Sequence, residues 1–442
     1  MTTAREVALD VTTRVRLDDA YSNLILPKVI REARLSSRDS GHATDLTYGS
    51  LRWRSTLDAV LHECVRGSWD RVDGDVLDLL RLATFELVIR GEPPHIINEW
   101  VNLANRRFRR AAGFVNATLR SVSRRSPDEW RGTMLSNATD SAGRAIAYSH
   151  PEWIVQKFTE LLGTREVEEL LAANNVSPVP TLIALPGLSV RPIDADLTPF
   201  SPFGFRSSGG HLADQPGVAE GVVRVQDEGS QLAALALVGV APIRSGERWL
   251  DLCAGPGGKT GVLAALGLPA GATVEANEVQ EHRADLVRTS LIAFDGRVAI
   301  TVRDGRELCS ENPGTFDRIL VDAPCTGLGA LRRRPESRWR KELSDLDSLV
   351  PLQRQLLTSA LTSLTVGGVV AYVTCSPLDE ETIDVVEAVL TEHGDAEALD
   401  TGSVLAAIAP GLTDAKRGTA VQLYPHRHDT DAMFIQLIRR TR

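Results

Sequence analysis

From Gln226 to the C-terminus, short apolar runs alternate with segments whose apolar residues recur at helical spacing. The runs predict strands and the segments between them predict helices, an alternation that is typical of a parallel, doubly wound sheet. The predicted strands are 248–253, 273–277, 298–302, 318–321 and 369–374. The predicted helices include 260–266, 281–294, 352–364 and 380–390. We therefore expect an α/β domain over residues 226–442.

The first part of the chain, residues 1–142, predicts a helical bundle. Apolar positions recur at helical spacing over 11–30, 46–61 and 76–89, with no alternating strand pattern between them. Residues 143–225 are richer in proline and glycine, as in the run TPFSPFGF, and contain only short apolar runs. This composition predicts a small α/β linker module. A length of 442 residues has room for these three domains.

Composition argues against several classes of protein. No apolar run approaches the ~20 residues of a membrane span, and no basic-then-apolar start resembles a signal peptide, so we expect a soluble, cytoplasmic protein without a membrane partner. The five cysteines include no CxxC pair, which argues against disulfides and structural zinc. We expect His426 and His428 to lie in an exposed polar loop rather than to bind a metal, because no further ligands are suitably spaced.

Arginine is concentrated in two segments of an otherwise acidic chain with a net charge of −9. Residues 101–125 contain seven arginines and no acidic residue, so this segment is either a solvated helix face or a surface for RNA phosphates. The run LRRRPESRWRK, residues 331–341, adds six cations around Trp339. We expect Trp339 to pack and some of these arginines to contact RNA. The net charge opposes indiscriminate nucleic-acid binding, so an RNA partner requires such local surfaces.

The run WLDLCAGPGGKT predicts a buried strand, a glycine-rich turn and the start of a helix, which together present backbone amides to a ligand. A phosphate-binding P-loop fits poorly, because Cys253 stands where its first glycine belongs, although Gly258, Lys259 and Thr260 match. The glycine spacing also departs from the GxGxxG of dinucleotide-binding folds. S-adenosylmethionine has no pyrophosphate. Its site requires only that the ligand can come close to the backbone of the turn and that an acidic side chain binds the ribose hydroxyls. The turn therefore favours S-adenosylmethionine, with a P-loop nucleotide hydrolase as the alternative.

Three acidic residues follow successive predicted strands: Glu278 the second, Asp304 the third and Asp322 the fourth. The carboxyl ends of neighbouring parallel strands share one edge of a sheet, so these acids are expected beside the glycine turn. Glu278 is placed to accept both ribose hydroxyls. Each acid taken alone could simply cap a loop.

Cys325 and Cys375 each end an apolar run and each precede a small hydroxylated residue, in DAPCTG and VTCS. Enzymes of the α/β class keep reactive groups at strand ends, so the pair indicates thiol chemistry. Either cysteine alone could be a small buried hydrophobe. We expect Cys64 and Cys309 to be structural.

Three runs, LDLCAGPGGKT, DAPCTGLGALRRRPE and VTCSPLDEE, resemble in order and spacing the RNA cytosine-5 methyltransferases of the RsmB/Sun (Fmu) type. The runs DLTYGSLRWR, PPHIINEWVNLAN and GFVNATLR resemble the NusB-like RNA-binding domain of the same family. The resemblance implies an all-α NusB-like domain and a Rossmann-like class I methyltransferase domain. It also implies a monomer that forms 5-methylcytidine in 16S ribosomal RNA, free or in an assembly intermediate.

The resemblance implies a role for each motif. Cys375 would be the nucleophile that adds to carbon 6 of cytosine, and Cys325 would assist release. Asp322 would donate a hydrogen bond to ring nitrogen 3 if its carboxyl is protonated. The residues implied for S-adenosylmethionine are Cys253, Ala254, Gly255, Pro256, Gly257, Gly258, Lys259, Glu278, Arg283, Asp304 and Asp322.

Two alternatives remain at this point. In DNA cytosine-5 methyltransferases the Pro-Cys motif carries the nucleophile, which makes Cys325 the competing candidate. The substrate could also be transfer RNA, or the chain could be a non-catalytic RNA-binding or antitermination factor.

Overall fold

A computed structural model describes residues 2–18, 20–210 and 212–442. The chain divides into two compact units. The first comprises the chain up to Ser177 together with Leu331–Lys341, and the second comprises Pro178–Ala330 and Glu342–Arg442. The predicted boundaries were at 142 and 225. In the structure, residues 143–177 belong to the first unit and residues 178–225 to the second, and 331–341 also belong to the first unit.

The first unit is helical. Its α-helices are α1 Ala4–Leu17, α2 Ser22–Ala33, α3 Ser37–Arg52, α4 Arg54–Cys64, α5 Gly74–Thr84, α6 Ile97–Arg107, α7 Ala112–Val122, α8 Pro127–Ser136, α9 Ser141–Ala147 and α10 Glu152–Asn174. A π-helical turn, Phe85–Ile89, continues α5. Helix α10 is interrupted at Gly163, whose φ of 75° is outside the helical region.

Apolar side chains at helical spacing close this bundle around one main core. Leu57, Leu79, Trp100 and Val115, from four different helices, are fully buried there. Trp100 brings a polar atom into the core, and its indole N–H donates to the buried carboxylate of Glu86 at 2.6 Å. The predicted helical bundle is confirmed.

The segment Leu331–Lys341 belongs to this bundle. The Arg338 side chain is fully buried and donates to the backbone carbonyl oxygens of Ser149, at 2.8 Å, and Asn174, at 3.2 Å. Burial lowers the pKa of its guanidinium well below the usual value. The indole of Trp339 donates to the carbonyl of Leu51 at 2.8 Å. The expected packing of Trp339 is thus confirmed.

The two most buried arginines of this segment are not among those that can contact RNA. Arg332 is 4% exposed and Arg338 is completely buried, because the helices of the first unit enclose them. Arg334 is the exposed arginine of the segment.

The second unit has the predicted α/β order. Its elements are β1 Thr181–Ala184, β2 Gly204–Arg206, β3 Val223–Val225, α11 Glu228–Gly239, β4 Arg248–Asp251, α12 Gly258–Gly267, β5 Thr273–Asn277, α13 Glu281–Ser290, β6 Ala299–Thr301, α14 Gly305–Glu311, β7 Phe316–Asp322, α15 Leu346–Ser363, β8 Leu364–Thr374, α16 Ile383–Glu392, β9 Ala396–Ala398, α17 Thr401–Ile408, β10 Lys416–Arg417, β11 Ala420–Gln422, α18 Pro425–His428 and β12 Phe434–Arg440.

The main sheet has the strand order β10-β11-β12-β8-β7-β4-β5-β6, and β9 pairs with β12. The five strands from β8 to β6 are parallel and correspond to the five predicted strands. Beyond β8 the sheet continues antiparallel through β12, β11 and β10. The prediction of a wholly parallel sheet is therefore wrong at this edge. The strands β9, β10 and β11 are too short to give a sequence signal.

Alternate side chains of the central strands enter two separate cores. On β7, Leu320 joins the core formed with α11, α12 and α17, whereas Ile319 and Val321 join the core formed with α14, α15 and α16. On β8, Ala371 and Tyr372 divide in the same way. Successive side chains of a strand point to opposite faces of the sheet. A strand between two layers of helices therefore needs apolar residues on both faces. The doubly wound arrangement is confirmed.

A second, smaller sheet precedes β4 in the chain. It has the order β2-β1-β3, and both pairings are antiparallel. Strand β3 leads through Gln226 directly into α11. Within the described residues of both units, no helix is long and apolar enough to cross a membrane.

Candidate active site

The carboxyl ends of four adjacent strands, β8, β7, β4 and β5, define the candidate site. The glycine turn follows β4, Glu278 follows β5, Asp322 is the last residue of β7, and Cys325 and Cys375 follow β7 and β8. Loops at this edge of a doubly wound sheet converge on a shared crevice. The topology therefore places these residues on one edge of the sheet.

The two cysteine side chains are in direct contact. The Sγ atoms of Cys325 and Cys375 are 3.4 Å apart, within hydrogen-bonding distance for sulfur, and both residues are partly exposed. The hydrogen bond to Cys375, with the effect of burial, raises the pKa of Cys325 well above its ordinary value. Cys325 is therefore a protonated thiol at neutral pH and a poor nucleophile.

A buried carboxylate holds the loop that carries Cys325. Glu381 is completely buried and accepts hydrogen bonds from the backbone N–H of Thr326, at 2.8 Å, and from the Thr326 hydroxyl. The amide of Gln353 donates both to Glu381, at 3.1 Å, and to the carbonyl of Pro324, at 2.9 Å. Glu381 and Gln353 thus fix the residues on either side of Cys325.

Sequence reasoning did not single out Glu381 or Gln353. The acidic pair that ends VTCSPLDEE was the available signal for Glu381, because a carboxylate so close to an apolar strand end needs a buried partner. Gln353 lies on a helix with no motif around it and offered no signal.

An ion pair lies beside the thiols. Lys259 Nζ donates to Asp322 Oδ2 at 2.6 Å. Burial alone would lower the pKa of Lys259, but the negative charge of Asp322, its hydrogen bond and the nearby Cys375 sulfur raise it. The structure thus pairs Asp322 with Lys259, which was predicted only to contact the cofactor. The hydrogen bond from Asp322 to ring nitrogen 3 stays a prediction.

Asp251 ends β4 beneath this ion pair. Its Oδ2 accepts a hydrogen bond from the Thr260 hydroxyl at 2.6 Å, and its Oδ1 has no partner among the described residues. Burial, reinforced by the charge of Asp322, raises the pKa of Asp251 to about 7. The carboxyl thus titrates near neutrality.

The glycine turn allows close approach to its backbone. A Cβ at Gly255 would lie 2.3 Å from Oε2 of Glu278, so a side chain would fill the space in front of that carboxylate. Gly257 has a φ of 99°, which favours glycine. Glu278 is 3% exposed and accepts from the N–H of Gly255 at 3.1 Å, while Arg283 donates to the Gly255 carbonyl at 2.9 Å. These contacts bring Gly255, Glu278 and Arg283 together as expected.

Two other predicted residues have different surroundings. Asp304 caps α14, accepts from the N–H of Arg306 at 2.9 Å and binds the guanidinium of the same residue. The hydrogen bonds from Arg306 lower the pKa of Asp304. All of these contacts lie within the first turn of α14, as expected for a carboxylate that only caps a loop. The cofactor role of Asp304 stays a prediction.

Cys253 lies between β4 and α12, and burial raises the pKa of its thiol well above the ordinary value.

No cluster of three or more potential metal ligands occurs in the part of the chain that the structure describes. His428, expected in an exposed loop, is instead buried: its ring accepts from the N–H of Tyr424 at 3.0 Å and contacts the carbonyl of Thr413. Burial lowers the pKa of this histidine. Its ring also packs edge-on against Phe200, so His428 is part of the protein interior, whereas His426 is partly exposed.

Comparison with known proteins agrees with this geometry. Residues 240–439 match the family model described as 16S rRNA methyltransferase RsmB/F. A ribosomal RNA small subunit methyltransferase B from Pseudomonas syringae pv. tomato is 33% identical, over 86% of this chain and 85% of that protein. The chain belongs to the RsmB/F methyltransferase family.

Other members and neighbours extend the relationship over the whole chain. Residues 2–124 match the NusB family, so this family member carries the expected NusB domain. A Mycobacterium tuberculosis protein named as a methyltransferase is 43% identical, over 99% of this chain and 96% of that protein. The crystal structure of PH0851 superposes with a TM-score of 0.80 at 20% identity, covering 99% of this chain and 98% of that one. The last match shows that the fold is shared.

Proposed function

We propose that this RsmB/F methyltransferase transfers the methyl group of S-adenosylmethionine to carbon 5 of a cytidine in 16S ribosomal RNA, through a covalent adduct with Cys375. The contact between Cys325 and Cys375 Sγ atoms, 3.4 Å apart at adjacent strand ends, is the observation that carries the proposal. Carbon 5 of cytosine is a weak nucleophile and needs activation by addition of a thiolate at carbon 6. Two thiols in contact suit one residue that adds and one that assists release.

The surroundings of the thiols favour Cys375 as the residue that adds. Cys325 is held protonated by its hydrogen bond and by burial, whereas the Lys259 ammonium lies close enough to the Cys375 sulfur for their charges to interact. The new bond joins Cys375 Sγ to carbon 6 and turns carbon 5 into an enamine-like nucleophile.

Addition is easier when ring nitrogen 3 gains a proton or a hydrogen bond. The Lys259–Asp322 pair holds a proton within the site, and the raised pKa of Lys259 means that this proton resides on the ammonium. Lys259 is therefore assigned as its source, with Asp322 orienting the ammonium. A cytosine base must leave its stack to reach these groups.

The residues of the glycine turn fit the methyl donor. S-adenosylmethionine supplies an electrophilic methyl group. Glu278 would hold the ribose hydroxyls, as its buried carboxylate faces the space that a Cβ at Gly255 would fill. Gly257 and Gly258 would allow contact with the backbone of the turn, and Arg283 would fix the Gly255 carbonyl.

Release requires loss of the carbon-5 proton and breakage of the bond between sulfur and carbon 6. A water molecule takes the carbon-5 proton, the electrons of the carbon-5 to hydrogen bond restore the ring double bond, and Cys375 leaves as a thiolate. The protonated Cys325 thiol is in contact with that sulfur and can donate a hydrogen bond to it as charge develops. Without this donor, release should become slow.

RNA as the substrate is supported by the surface of the first unit. All seven arginines of residues 101–125 are exposed. Arg106, Arg107 and Arg125 pair with Glu6, Asp10 and Glu63, which leaves part of the positive charge to the remaining arginines. Lysine and arginine side chains exposed in this way bind phosphates by releasing counterions. The first unit thus offers a local basic surface on an acidic chain.

Substitution of Cys375 by alanine tests this function. We expect the full-length C375A variant to form 5-methylcytidine in 16S ribosomal RNA at least about 1,000-fold more slowly than the wild type, because no other group replaces the nucleophile. Mass spectrometry of nucleosides from the treated RNA measures the product. The C309A variant, in which a buried cysteine far from any motif is changed, should retain activity. An active C375A variant, or a methyl group on another atom, would contradict the proposal.

A further inference from the structure

Gln226 is a buried residue whose side chain lacks hydrogen bonds. It is 7% exposed and lies between β3 and α11. Its backbone is fully used: the N–H donates to the carbonyl of Thr181 at 3.0 Å, and its carbonyl accepts from the Gln231 amide at 3.0 Å. Its side-chain Nε2 and Oε1, however, have no partner among the described residues.

An unsatisfied buried amide is costly. Burial removes the water that would otherwise bond to such a group, so an unpaired donor or acceptor in a native protein calls for an explanation. Gln226 has two unpaired atoms, a donor and an acceptor, on one side chain. A ligand that supplies both complementary groups would explain why this residue is tolerated here.

The Gln226 amide lies against the first turn of α12. A Cβ at Gly258, the first residue of that helix, would be 3.5 Å from Nε2 and 3.6 Å from Cδ of Gln226. The first N–H groups of a helix have no acceptor within that helix, and in α12 these belong to Gly258, Lys259 and Thr260. Free amides at the start of a ten-residue helix attract negative charge.

Arg224 adds positive charge under the same turn. Its guanidinium donates to the carbonyl of Gly257 at 3.3 Å and to the carbonyl of Ser290. Burial lowers its pKa to about 10, so it stays charged at neutral pH. Burial alone causes that shift, and no carboxylate of the described residues contributes to it. Arg224 thus adds a positive charge at the Gly257 carbonyl.

We propose that Gln226 and the N-terminus of α12 bind the α-amino acid end of the methyl donor. The amide Nε2 donates to the carboxylate, and the amide Oε1 accepts from the ammonium group. A side-chain amide can satisfy both charged groups of a zwitterion, which no purely cationic or anionic side chain can do. This assignment rests on the proposed use of S-adenosylmethionine and gives a role to a residue for which the sequence predicted none.

The test compares two ligands that differ only at this end. S-adenosylhomocysteine carries the amino acid group, whereas 5′-methylthioadenosine has the same nucleoside and thioether without it. We expect the full-length Q226A variant to bind S-adenosylhomocysteine about 10-fold more weakly than the wild type, as for a lost hydrogen bond to a charged group. Its affinity for 5′-methylthioadenosine should not change. Isothermal titration calorimetry measures both.

Two further variants complete the design. Q226E keeps the shape of the side chain but places a carboxylate against the ligand carboxylate, so it should weaken S-adenosylhomocysteine binding by at least as much and spare 5′-methylthioadenosine. Q156A, at an exposed glutamine on α10, should leave both affinities unchanged.

The outcomes separate this inference from the proposed function. Equal weakening of both ligands in Q226A would show a structural role and overturn the assignment, as would unchanged binding of S-adenosylhomocysteine. A wild-type protein that bound neither ligand would instead overturn the use of S-adenosylmethionine, and the assignment of Gln226 with it.

Discussion

Each end of the parallel strands in the second unit carries a basic side chain paired with an acid, but the two pairs have different surroundings. At the amino ends, Arg318 on β7 donates to Glu247 at 2.9 Å, and both side chains are about 5% exposed or less. At the carboxyl ends, Lys259 donates to Asp322 at 2.6 Å, and the Asp322 side chain is 28% exposed.

The amino-end pair is fully bonded. Arg318 also donates to the carbonyl oxygens of Leu237, Val238, Ala241 and Pro242, and lies 4.9 Å from the Trp249 ring. Burial would raise the pKa of Glu247, but hydrogen bonds from Trp249 and Arg318 hold it below its ordinary value. Every group here has a partner within the protein, so the pair can only stabilise the fold.

The surroundings of the carboxyl-end pair are incompletely bonded. Asp251 Oδ1 and the Gln226 amide lack partners among the described residues, and the neighbouring thiols are partly exposed. The same sheet thus has satisfied charge at its amino end and unsatisfied polar atoms at its carboxyl end. The difference teaches that the sheet leaves polar atoms without partners at the edge where we propose that the ligands bind.

The largest expected effect is on stability, at the amino end. Replacing Arg318 by methionine leaves the buried Glu247 without its main cation and four backbone carbonyls without this donor, so we expect the free energy of unfolding to fall by about 3–5 kcal/mol. Urea denaturation followed by circular dichroism measures it. The R288M variant, which removes an exposed arginine, should unfold like the wild type. An R318M variant as stable as the wild type would remove the contrast between the two ends.

The next effect concerns Asp251 and depends on pH. Because folding raises its pKa from 3.8 to about 7, the folded state favours the protonated carboxyl. The resulting stabilisation is present below pH 4 and is lost as the pH rises to about 7. The isosteric D251N variant cannot ionise and should escape this loss.

Denaturation of both proteins between pH 4 and pH 8 measures this effect. Relative to D251N, the wild type should lose on the order of 2–4 kcal/mol of stability across that range. Parallel stability curves would mean that Asp251 is ionised throughout, and would contradict an unsatisfied carboxyl at this end of the sheet.

The smallest effect is expected at Glu381. Glutamine keeps the size of the side chain, but its N–H₂ group replaces one of the two oxygens that accept from the backbone N–H and the hydroxyl of Thr326, so the loop of Cys325 should shift. We expect the E381Q variant to turn over about 10-fold more slowly, with release of methylated RNA affected most. Single-turnover kinetics separates methyl transfer from release. E380Q, the same change one residue earlier, should behave like the wild type, and equal rates in both variants would argue against a positioning role for Glu381.

Much of this sheet edge could be predicted from the sequence. Apolar runs located the five parallel strands, and the rule that ligands bind at their carboxyl ends brought the glycine turn, Glu278, Asp322 and the two cysteines together. These inferences succeed because strand order and side-chain period depend on local pattern.

Other features depend on contacts distant in sequence. The antiparallel edge, the burial of Arg332 and Arg338, and the pairing of Lys259 with Asp322 arise from residues that no local pattern connects. The same holds for Gln226, whose significance lies in the absence of partners around its side chain.

The most direct test of the central claim is the accumulation of a covalent intermediate. If Cys375 adds to the base and Cys325 assists release, the C325A variant incubated with 16S ribosomal RNA and S-adenosylmethionine should retain the RNA as an adduct that survives denaturing electrophoresis. The C325A/C375A double variant should form none. Absence of an adduct in C325A, or an adduct that persists in the double variant, would contradict the division of roles between the two thiols.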